Sequence, residues 1–325
     1  MFLMRFDMRA PEIGAPTGEL YAAALEMAAF AETRGAITAV VCEHHTMADG
    51  YLPSPLVLAT AMAARTTTLP IMTAALILPL YDPIRLAEDM AVLDIISGGR
   101  VSYVMAVGYR PEEYEHHGVE FRRRGKLADE QLTLLLRAKT GEPFEHEGRR
   151  VHVTPAPVTP GGPRIIWGGG SPAAARRAAR FGLDLFAQGG GPAVEEAYAA
   201  ECAALGREPG FCMVPSTDMA TTVFVAHDLD AAWAELGPHL LHDVTAYAAL
   251  NPGNTHTASL STATTVDELR AEDRTHRIVT VDEAVAMIRA GKPLPLQPLV
   301  GGLPPEIAWR YLHVVTDDVM PALAG

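Results

Sequence analysis

The stretch Ala39-Val40-Val41-Cys42-Glu43-His44-His45 decides the fold, because an apolar run stops abruptly at three polar residues. Two further apolar runs, 70–78 and 101–107, end in a similar way at a turn or a helix signal. After the run 70–78, Asp82-Pro83 predicts the start of a helix. Repeated strand, loop and helix units favour a parallel sheet over a sandwich, and polar groups at the ends of buried parallel strands are where a β/α barrel does its chemistry.

The number of strand-like runs is eight, which is the number that closes a β/α barrel. The runs are 2–8, 39–42, 70–78, 101–107, 164–167, 183–187, 221–226 and 294–300. The residues at helical spacing after the third run are Ile84, Ala87, Ala91 and Ile95. We find no linker, so the sequence predicts an α/β fold with one (β/α)8 TIM-barrel domain over residues 1–325. The segment 251–265 is a loop excursion that is either disordered or a lid.

Charge and composition argue against several classes of protein. A net charge of −13 without a basic stretch longer than Arg122-Arg123-Arg124 argues against nucleic-acid binding. Cys42, Cys202 and Cys212 lack metal-ligand spacing and indicate reduced thiols. Charge interrupts the amino terminus too early for a signal peptide, and no apolar run has membrane-spanning length. We therefore expect a cytoplasmic protein without a membrane partner.

Several short motifs occur in an order that resembles the bacterial luciferase-like monooxygenase superfamily. The motifs are Glu43-His44-His45, Thr73 to Pro79, Leu93-Asp94 with Ser97-Gly98-Gly99-Arg100, Gly108 with Glu113-Tyr114 and Gly118, and Ile165 to Ser171. No single motif is specific, but the ordered set extends over residues 37–190. The resemblance implies a β/α barrel, usually a homodimer, which binds reduced FMN or the deazaflavin coenzyme F420 at the C-terminal face of its strands.

Three functions follow from the resemblance. The first, which we favour, is a luciferase-like monooxygenase that uses reduced FMN and dioxygen on a small organic substrate, excludes water from the reaction, and has a separate flavin reductase as a partner. The second is an F420-dependent oxidoreductase that transfers a hydride. The third is a barrel that binds flavin without turnover. The loops 46–53, 109–120 and 251–265 are the candidates for substrate specificity.

His44 is the candidate catalytic residue. It follows the second strand, where an imidazole can supply or remove a proton beside a flavin, and the resemblance matches it to the catalytic histidine of luciferase. Alternatively, one of His44 and His45 only fixes the loop. We expect no metal site, because adjacent side chains on a strand end diverge and cannot converge on one ion.

Ala74 and Ala75 match the position where the family has a non-prolyl cis peptide that supports the cofactor ring. Small residues there allow close approach of a ring, although two alanines are also ordinary core residues. The resemblance also implies cofactor contacts at Gly108 and Tyr109, directly after the fourth predicted strand.

The run Gly168-Gly169-Gly170-Ser171-Pro172 predicts a turn into a helix, with Ser171 as N-cap. Backbone N–H groups at a helix N-terminus suit an anion, so these glycines and Ser171 are candidates for the cofactor phosphate, with Arg176 or Arg177 one turn away. The alternative is a plain capped helix.

One departure from the family concerns the arginine that holds the FMN phosphate at the end of the fourth strand. Val107 stands at that position, which removes a charge-assisted contact and leaves room for F420 or for a weakly held cofactor. Arg110, three residues further on, is the candidate replacement.

Overall fold

A computed structural model describes residues 1–216, 219–250 and 257–323. The chain divides into two compact units. The first unit comprises residues 1–40, 47–53 and 215–325, and the second comprises residues 41–46 and 54–214. The organisation as one domain over residues 1–325 stays a prediction.

Strands and helices alternate along most of the chain. The strands are β1 (Phe2–Phe6), β2 (Ala36–Val41), β3 (Ile71–Ile77), β4 (Val101–Ala106), β5 (Phe144–His146), β6 (Arg149–Val151), β7 (Arg164–Gly168), β8 (Asp184–Phe186), β9 (Cys212–Met213), β10 (Thr222–Val225), β11 (His276–Val279) and β12 (Leu294–Leu296). The helices are α1 (Thr17–Glu32), α2 (Pro55–Arg65), α3 (Pro83–Ser97), α4 (Pro111–His116), α5 (Arg124–Ala138), α6 (Pro172–Phe181), α7 (Pro192–Ala204), α8 (Leu229–Leu250), α9 (Val266–Glu272), α10 (Val281–Arg289), α11 (Pro305–His313) and α12 (Met320–Ala322). None of these helices is long and apolar enough to cross a membrane.

In the first unit, β1 lies between β12 and β2. β1 and β12 are parallel, and Phe2 faces Leu294 in their register. Phe2, Met4 and Phe6 are buried while the residues between them are half-buried, as expected for the period of two in a strand.

A buried ionic network follows β1 in the same unit. The Arg9 side chain is fully buried, its Nη1 donates a hydrogen bond to Asp49, and its Nε lies 3.6 Å from Asp7 Oδ2 and 3.5 Å from Asp243 Oδ1. Asp243 Oδ2 lies 2.9 Å from His276 Nε2. The charges of three carboxylates are thus concentrated around one guanidinium group.

The pKa values of the two aspartates in this network move in opposite directions. Burial and the negative charge of Asp243 raise the pKa of Asp7 to about 6, against the opposing charges of Arg9 and Arg5. Burial also acts to raise the pKa of Asp243, but the hydrogen bond and charge of His276 and the two arginines outweigh it and hold that pKa well below its usual range.

In the second unit, five parallel strands form a sheet in the order β3-β4-β7-β8-β9. The crossover helix α3 begins as predicted, because the Asp82 carboxylate accepts hydrogen bonds from the N–H groups of Ile84 and Arg85 at 2.9 and 2.8 Å. Ala87 and Ala91 are buried, but Ile95 is 40% exposed, so the predicted apolar face is only partly directed at the core.

All eight predicted runs contain strands, but the structure corrects the place of the seventh. The run 221–226 forms β10, which pairs with β11 in a separate two-stranded sheet, whereas β9 takes the place beside β8. β9 is two residues long and gives no periodic signal, and β11 begins with two polar residues, His276 and Arg277. The hairpin of β5 and β6 has no apolar run that would predict it, because four of its six strand residues are polar or charged.

The loop excursion predicted at 251–265 is described only in part, since residues 251–256 lie outside the described residues. From residue 257 onward the segment is packed: Ala258 and Ala263 are buried, and the Ser261 hydroxyl donates a hydrogen bond of 2.7 Å to Glu272 Oε2. This part is ordered by α9, so the expectation of disorder does not hold for it.

Candidate active site

His44 is 8% exposed, and its two ring nitrogens have different partners in the second unit. Nδ1 lies 2.7 Å from Glu113 Oε1, and Nε2 lies 3.0 Å from the Tyr109 hydroxyl oxygen. An ionised carboxylate only accepts hydrogen bonds, so the proton of the neutral imidazole is on Nδ1 and Nε2 accepts the Tyr109 O–H. Tyr109, His44 and Glu113 form a continuous chain of hydrogen bonds along which a proton can move.

Glu113 supplies a buried negative charge to this chain. Its side chain is fully buried, and Oε1 also accepts hydrogen bonds from the His45 N–H at 3.0 Å and from Arg110 Nη1 at 3.3 Å. Burial acts to raise the pKa of Glu113, but the hydrogen bond and charge of His44, the His45 N–H and Arg110 outweigh it and hold that pKa below its usual range. Glu113 is therefore ionised at neutral pH and fixes the tautomer of His44.

Arg110 is engaged in the same loop. Its Nη1 donates a hydrogen bond of 2.7 Å to the His45 carbonyl oxygen, besides its contact with Glu113. Arg110 thus connects the loop that carries His45 to the helix α4 that carries Glu113. Because its guanidinium group makes these contacts, Arg110 is a poor replacement for the phosphate-binding arginine that the family has where this chain has Val107.

The loop after β4 passes close to β3, and Gly108 makes this possible. Gly108 has a φ of 67°, and a Cβ atom on it would lie 2.9 Å from Ile77 Cγ2. The close approach brings the Tyr109 ring edge-on to the His44 ring, with 5.4 Å between the centroids. Gly108 is thus required for the position of Tyr109.

Ala74 and Ala75 form an irregular, half-exposed part of β3. The register with β4 shifts between Ala74 and Leu76, which marks a bulge at Ala75, and the Ala74–Ala75 peptide bond is cis. Both side chains are single methyl groups, so the bulge offers a flat backbone surface that a planar ring can approach.

The turn from β7 into α6 has the predicted cap. Ser171 Oγ accepts a hydrogen bond of 3.2 Å from the Ala174 N–H, and Pro172 is the first residue of α6. A Cβ atom on Gly169 would lie 2.9 Å from Ala174 Cβ, and one on Gly170 would lie 2.9 Å from the Gly189 carbonyl oxygen. These two glycines are therefore needed for local packing whatever the turn binds.

The two arginines of α6 differ in their surroundings. Arg177 is buried, its Nε donates a hydrogen bond to Asp129, and its Nη2 donates one of 2.9 Å to the Gly125 carbonyl oxygen. Arg176 is exposed to solvent. Only Arg176 of this pair is accessible to a ligand at the turn.

Sequence reasoning missed the role of Glu113 as the partner of His44. Glu113 lies 69 residues further along the chain, within a motif that carries the family resemblance but gives no sign of a contact with His44. Among the described residues, no group of three or more His, Cys, Asp or Glu side chains is arranged to hold a metal ion.

A family model described as luciferase-like monooxygenase matches residues 4–291 of the chain. The alkanal monooxygenase alpha chain of Photorhabdus luminescens is 28% identical over 166 residues, which cover 50% of this chain and 46% of that one. The oxygenase component of the flavin-dependent trigonelline monooxygenase of Acinetobacter baylyi is 29% identical over 132 residues, which cover 40% of this chain and 36% of that one. The chain thus spans about half of the length of these curated relatives, or less.

Two solved structures resemble the whole chain. The monooxygenase RslO1 from Streptomyces bottropensis superposes with a TM-score of 0.77 and 22% identity over 99% of both chains. The oxygenating constituent of 3,6-diketocamphane monooxygenase from Pseudomonas putida, solved in complex with FMN, superposes with a TM-score of 0.69 and 18% identity over 98% of both chains. At these identities the likeness concerns the fold, and it confirms the predicted luciferase-like (β/α)8 TIM barrel.

Proposed function

The chain belongs to the luciferase-like monooxygenase family, and from this premise we propose that it is a flavin-dependent monooxygenase that uses reduced FMN and dioxygen on a small organic substrate. The observation that carries the proposal is the chain of hydrogen bonds from Tyr109 through His44 to Glu113. His44 follows Glu43, and the Glu43 carboxylate accepts a hydrogen bond from the Ile77 N–H at the end of β3. The hydrogen-bonded residues Tyr109, His44 and Glu113 therefore lie near the bulged strand.

The residues of the second unit fit a flavin in two respects. The bulge at Ala74 and Ala75 is half-exposed and has small side chains, which suits the face of a planar ring. The turn Gly168–Ser171 leads into a ten-residue helix whose N-terminal N–H groups suit a phosphate, with exposed Arg176 nearby in the sequence. We propose Ala74, Ala75, Gly108 and Tyr109 as ring contacts, and the turn residues Gly168, Gly169, Gly170 and Ser171 as phosphate contacts.

Bound reduced flavin supplies the electrons with which dioxygen is activated. The role of His44 is to hold a proton at Nδ1 and to accept or return one at Nε2 beside the ring, while the ionised Glu113 stabilises the charged form of the imidazole. The proton enters or leaves this chain of hydrogen bonds through the Tyr109 hydroxyl group. Glu113 and His44 are buried and Tyr109 is half-buried, which limits the access of water.

The alternative cofactor is F420, and Val107 is the observation that favours it. The guanidinium group that the family uses for the FMN phosphate is replaced by an apolar side chain, and Arg110 and Arg177 are engaged by other groups. In that case the protein transfers a hydride between F420 and its substrate. A flavin-binding barrel without turnover is the remaining alternative.

We propose a homodimer that forms through an apolar face on α2 and α3, which pack against each other. On this face Val57 is 71% exposed, and Val92, Ile95 and Ile96 are between 40% and 44% exposed. Exposed apolar side chains on adjoining helices are a feature of protein interfaces, and a second copy of this face covers them. The oxygenase component among the relatives supports a separate flavin reductase as a further partner.

The test is a titration of the purified protein with reduced FMN in the absence of oxygen and, separately, with F420, followed by absorbance. In the Ala75→Ile variant, the bulkier side chain should push the ring away and weaken binding by about tenfold or more. Ala203→Ile, the same substitution at an exposed position of α7, is the control and should leave the affinity unchanged.

Equal affinity in Ala75→Ile and in the unaltered protein would contradict the placement of the ring. Tighter binding of F420 than of FMN, with no consumption of dioxygen by the reduced protein, would favour hydride transfer. Binding of flavin without any reaction would favour the barrel that lacks turnover.

A further inference from the structure

Glu43 is fully buried in the second unit, and its carboxylate accepts three hydrogen bonds. Oε2 accepts the Ile77 N–H at 2.9 Å. Oε1 accepts the Tyr81 hydroxyl group at 3.0 Å and lies 2.8 Å from His45 Nε2. The donors come from the end of β3, from the segment before α3 and from the loop that carries His44.

Ile77 connects this carboxylate to both sides of the candidate site. It is the last residue of β3, just beyond the register shift at Ala74 and Leu76. Its side chain lies against the backbone of Gly108, where a Cβ atom would meet Ile77 Cγ2 at 2.9 Å. One residue therefore contacts the bulged strand through its backbone and the Tyr109 loop through its side chain.

Burying a carboxylate costs desolvation free energy, and an apolar side chain of similar volume often gives the folded protein equal or greater stability. The N–H of Ile77 has a specific need for an acceptor at this point, because a buried backbone donor without one is strongly unfavourable. Glu43 meets that need and, through its other oxygen, fixes His45 next to His44.

We propose that Glu43 is a positioning residue that sets the spacing between the Ala74–Ala75 bulge and the Gly108–Tyr109 loop by holding Ile77. It acts through Ile77 and does not touch the cofactor. The proposal rests on the proposed function for its effect on flavin, but its effect on the backbone is independent of any ligand.

The test compares Glu43→Gln with Glu43→Leu. Glutamine can accept the Ile77 N–H with its carbonyl oxygen, and its amide can donate to Tyr81, whose hydroxyl group can turn to accept, or to His45, which can change tautomer. Leucine offers no acceptor. We expect Glu43→Gln to keep FMN affinity within about threefold and Glu43→Leu to lose about tenfold or more, with a shifted absorbance spectrum of the bound flavin.

Amide hydrogen exchange gives the readout that needs no cofactor. Glu43→Leu should speed exchange in peptides that contain residues 74–77 and 108–109, while peptides from β7 exchange as before. Tyr81→Phe removes one donor to Glu43 without affecting Ile77, and it should leave both affinity and exchange unchanged. If Glu43→Leu does not fold, Glu43→Asp, which is one methylene shorter and keeps the charge, should show the same local pattern.

Faster exchange throughout the second unit, or no change in exchange, would overturn the positioning role. Equal losses in Glu43→Gln and Glu43→Leu would overturn it too, because the acceptor would then be irrelevant. If the unaltered protein binds neither FMN nor F420 but exchange accelerates locally in Glu43→Leu, the proposed function fails and the positioning role of Glu43 stands.

Discussion

Replacement of His44 by alanine tests whether the hydrogen-bonded chain moves a proton or only fixes a loop. The substitution removes the imidazole between Glu113 Oε1, at 2.7 Å, and the Tyr109 hydroxyl oxygen, at 3.0 Å. A positioned general acid or base contributes at least about a hundredfold to a rate, so we expect the reaction of the bound reduced flavin to slow by about that factor. Cofactor affinity should hardly change, because the ring is proposed to lie against Ala74 and Ala75.

Glu113→Gln is the second arm of this prediction. The amide keeps the shape of the side chain but exchanges a charge-assisted hydrogen bond to His44 Nδ1 for a neutral one, which costs about 1.4 kcal/mol, or about tenfold in rate. If His44 and Glu113 act as a unit, the double variant should be no slower than His44→Ala alone, since removal of the imidazole leaves the carboxylate nothing to act on.

The assay mixes the protein carrying reduced FMN with oxygenated buffer at saturating cofactor and follows the appearance of oxidised flavin by stopped-flow absorbance. Two results would refute the reasoning. The first is a loss of stability and cofactor affinity in His44→Ala with an unchanged rate for the bound fraction, as expected for a loop anchor. The second is an additive loss in the double variant, which would mean that the two residues act separately.

Two further predictions concern the network after β1 and the exposed face of α2 and α3. Because the folded pKa of Asp7, about 6, lies above that of the unfolded chain, its ionisation costs stability above pH 6 and not below the unfolded pKa. Asp7→Asn should therefore stabilise the protein at neutral pH and above by at most about 3 kcal/mol, and should not stabilise it in acid. Asp243→Asn should destabilise the protein by about 3 kcal/mol, because it loses the His276 and arginine contacts. Urea unfolding at neutral and at acidic pH measures both effects, and a gain for Asp7→Asn that is independent of pH would contradict the prediction. Val57→Glu should convert the proposed dimer to a monomer in sedimentation experiments, while Val158→Glu, at a position 55% exposed on a different segment, should not. A dimer that persists in Val57→Glu would contradict the proposal that this face forms the interface.

The parts of the fold that could be predicted are those where local sequence decides the structure. β3 is a long apolar run with proline after it, and α3 begins at an aspartate followed by proline, so both follow from rules that operate within a few residues. β9 is different, because two residues carry no pattern and its position depends on β8.

The site shows the same limit. His44 could be proposed as catalytic because it follows a buried strand, whereas Glu113 could not be recognised as its partner, since 69 residues of chain separate the two and no local pattern links them. Ile95 shows a second limit: α3 has apolar residues on more than one side, and helical spacing alone cannot tell the side that meets the sheet from the side that is exposed.

The attachment of Asp49 has a consequence for attempts to redesign substrate choice. Its carboxylate binds Arg9 and, at 2.9 Å, His242 Nε2, and its carbonyl oxygen accepts the Ala10 N–H at 2.6 Å. Grafting a foreign segment over 47–53 would leave the buried Arg9 without its closest carboxylate. Libraries should therefore keep Asp49 and also Gly50, whose φ of 69° would strain any other side chain, and vary the exposed Ala48, where new side chains meet solvent and leave the ionic contacts intact.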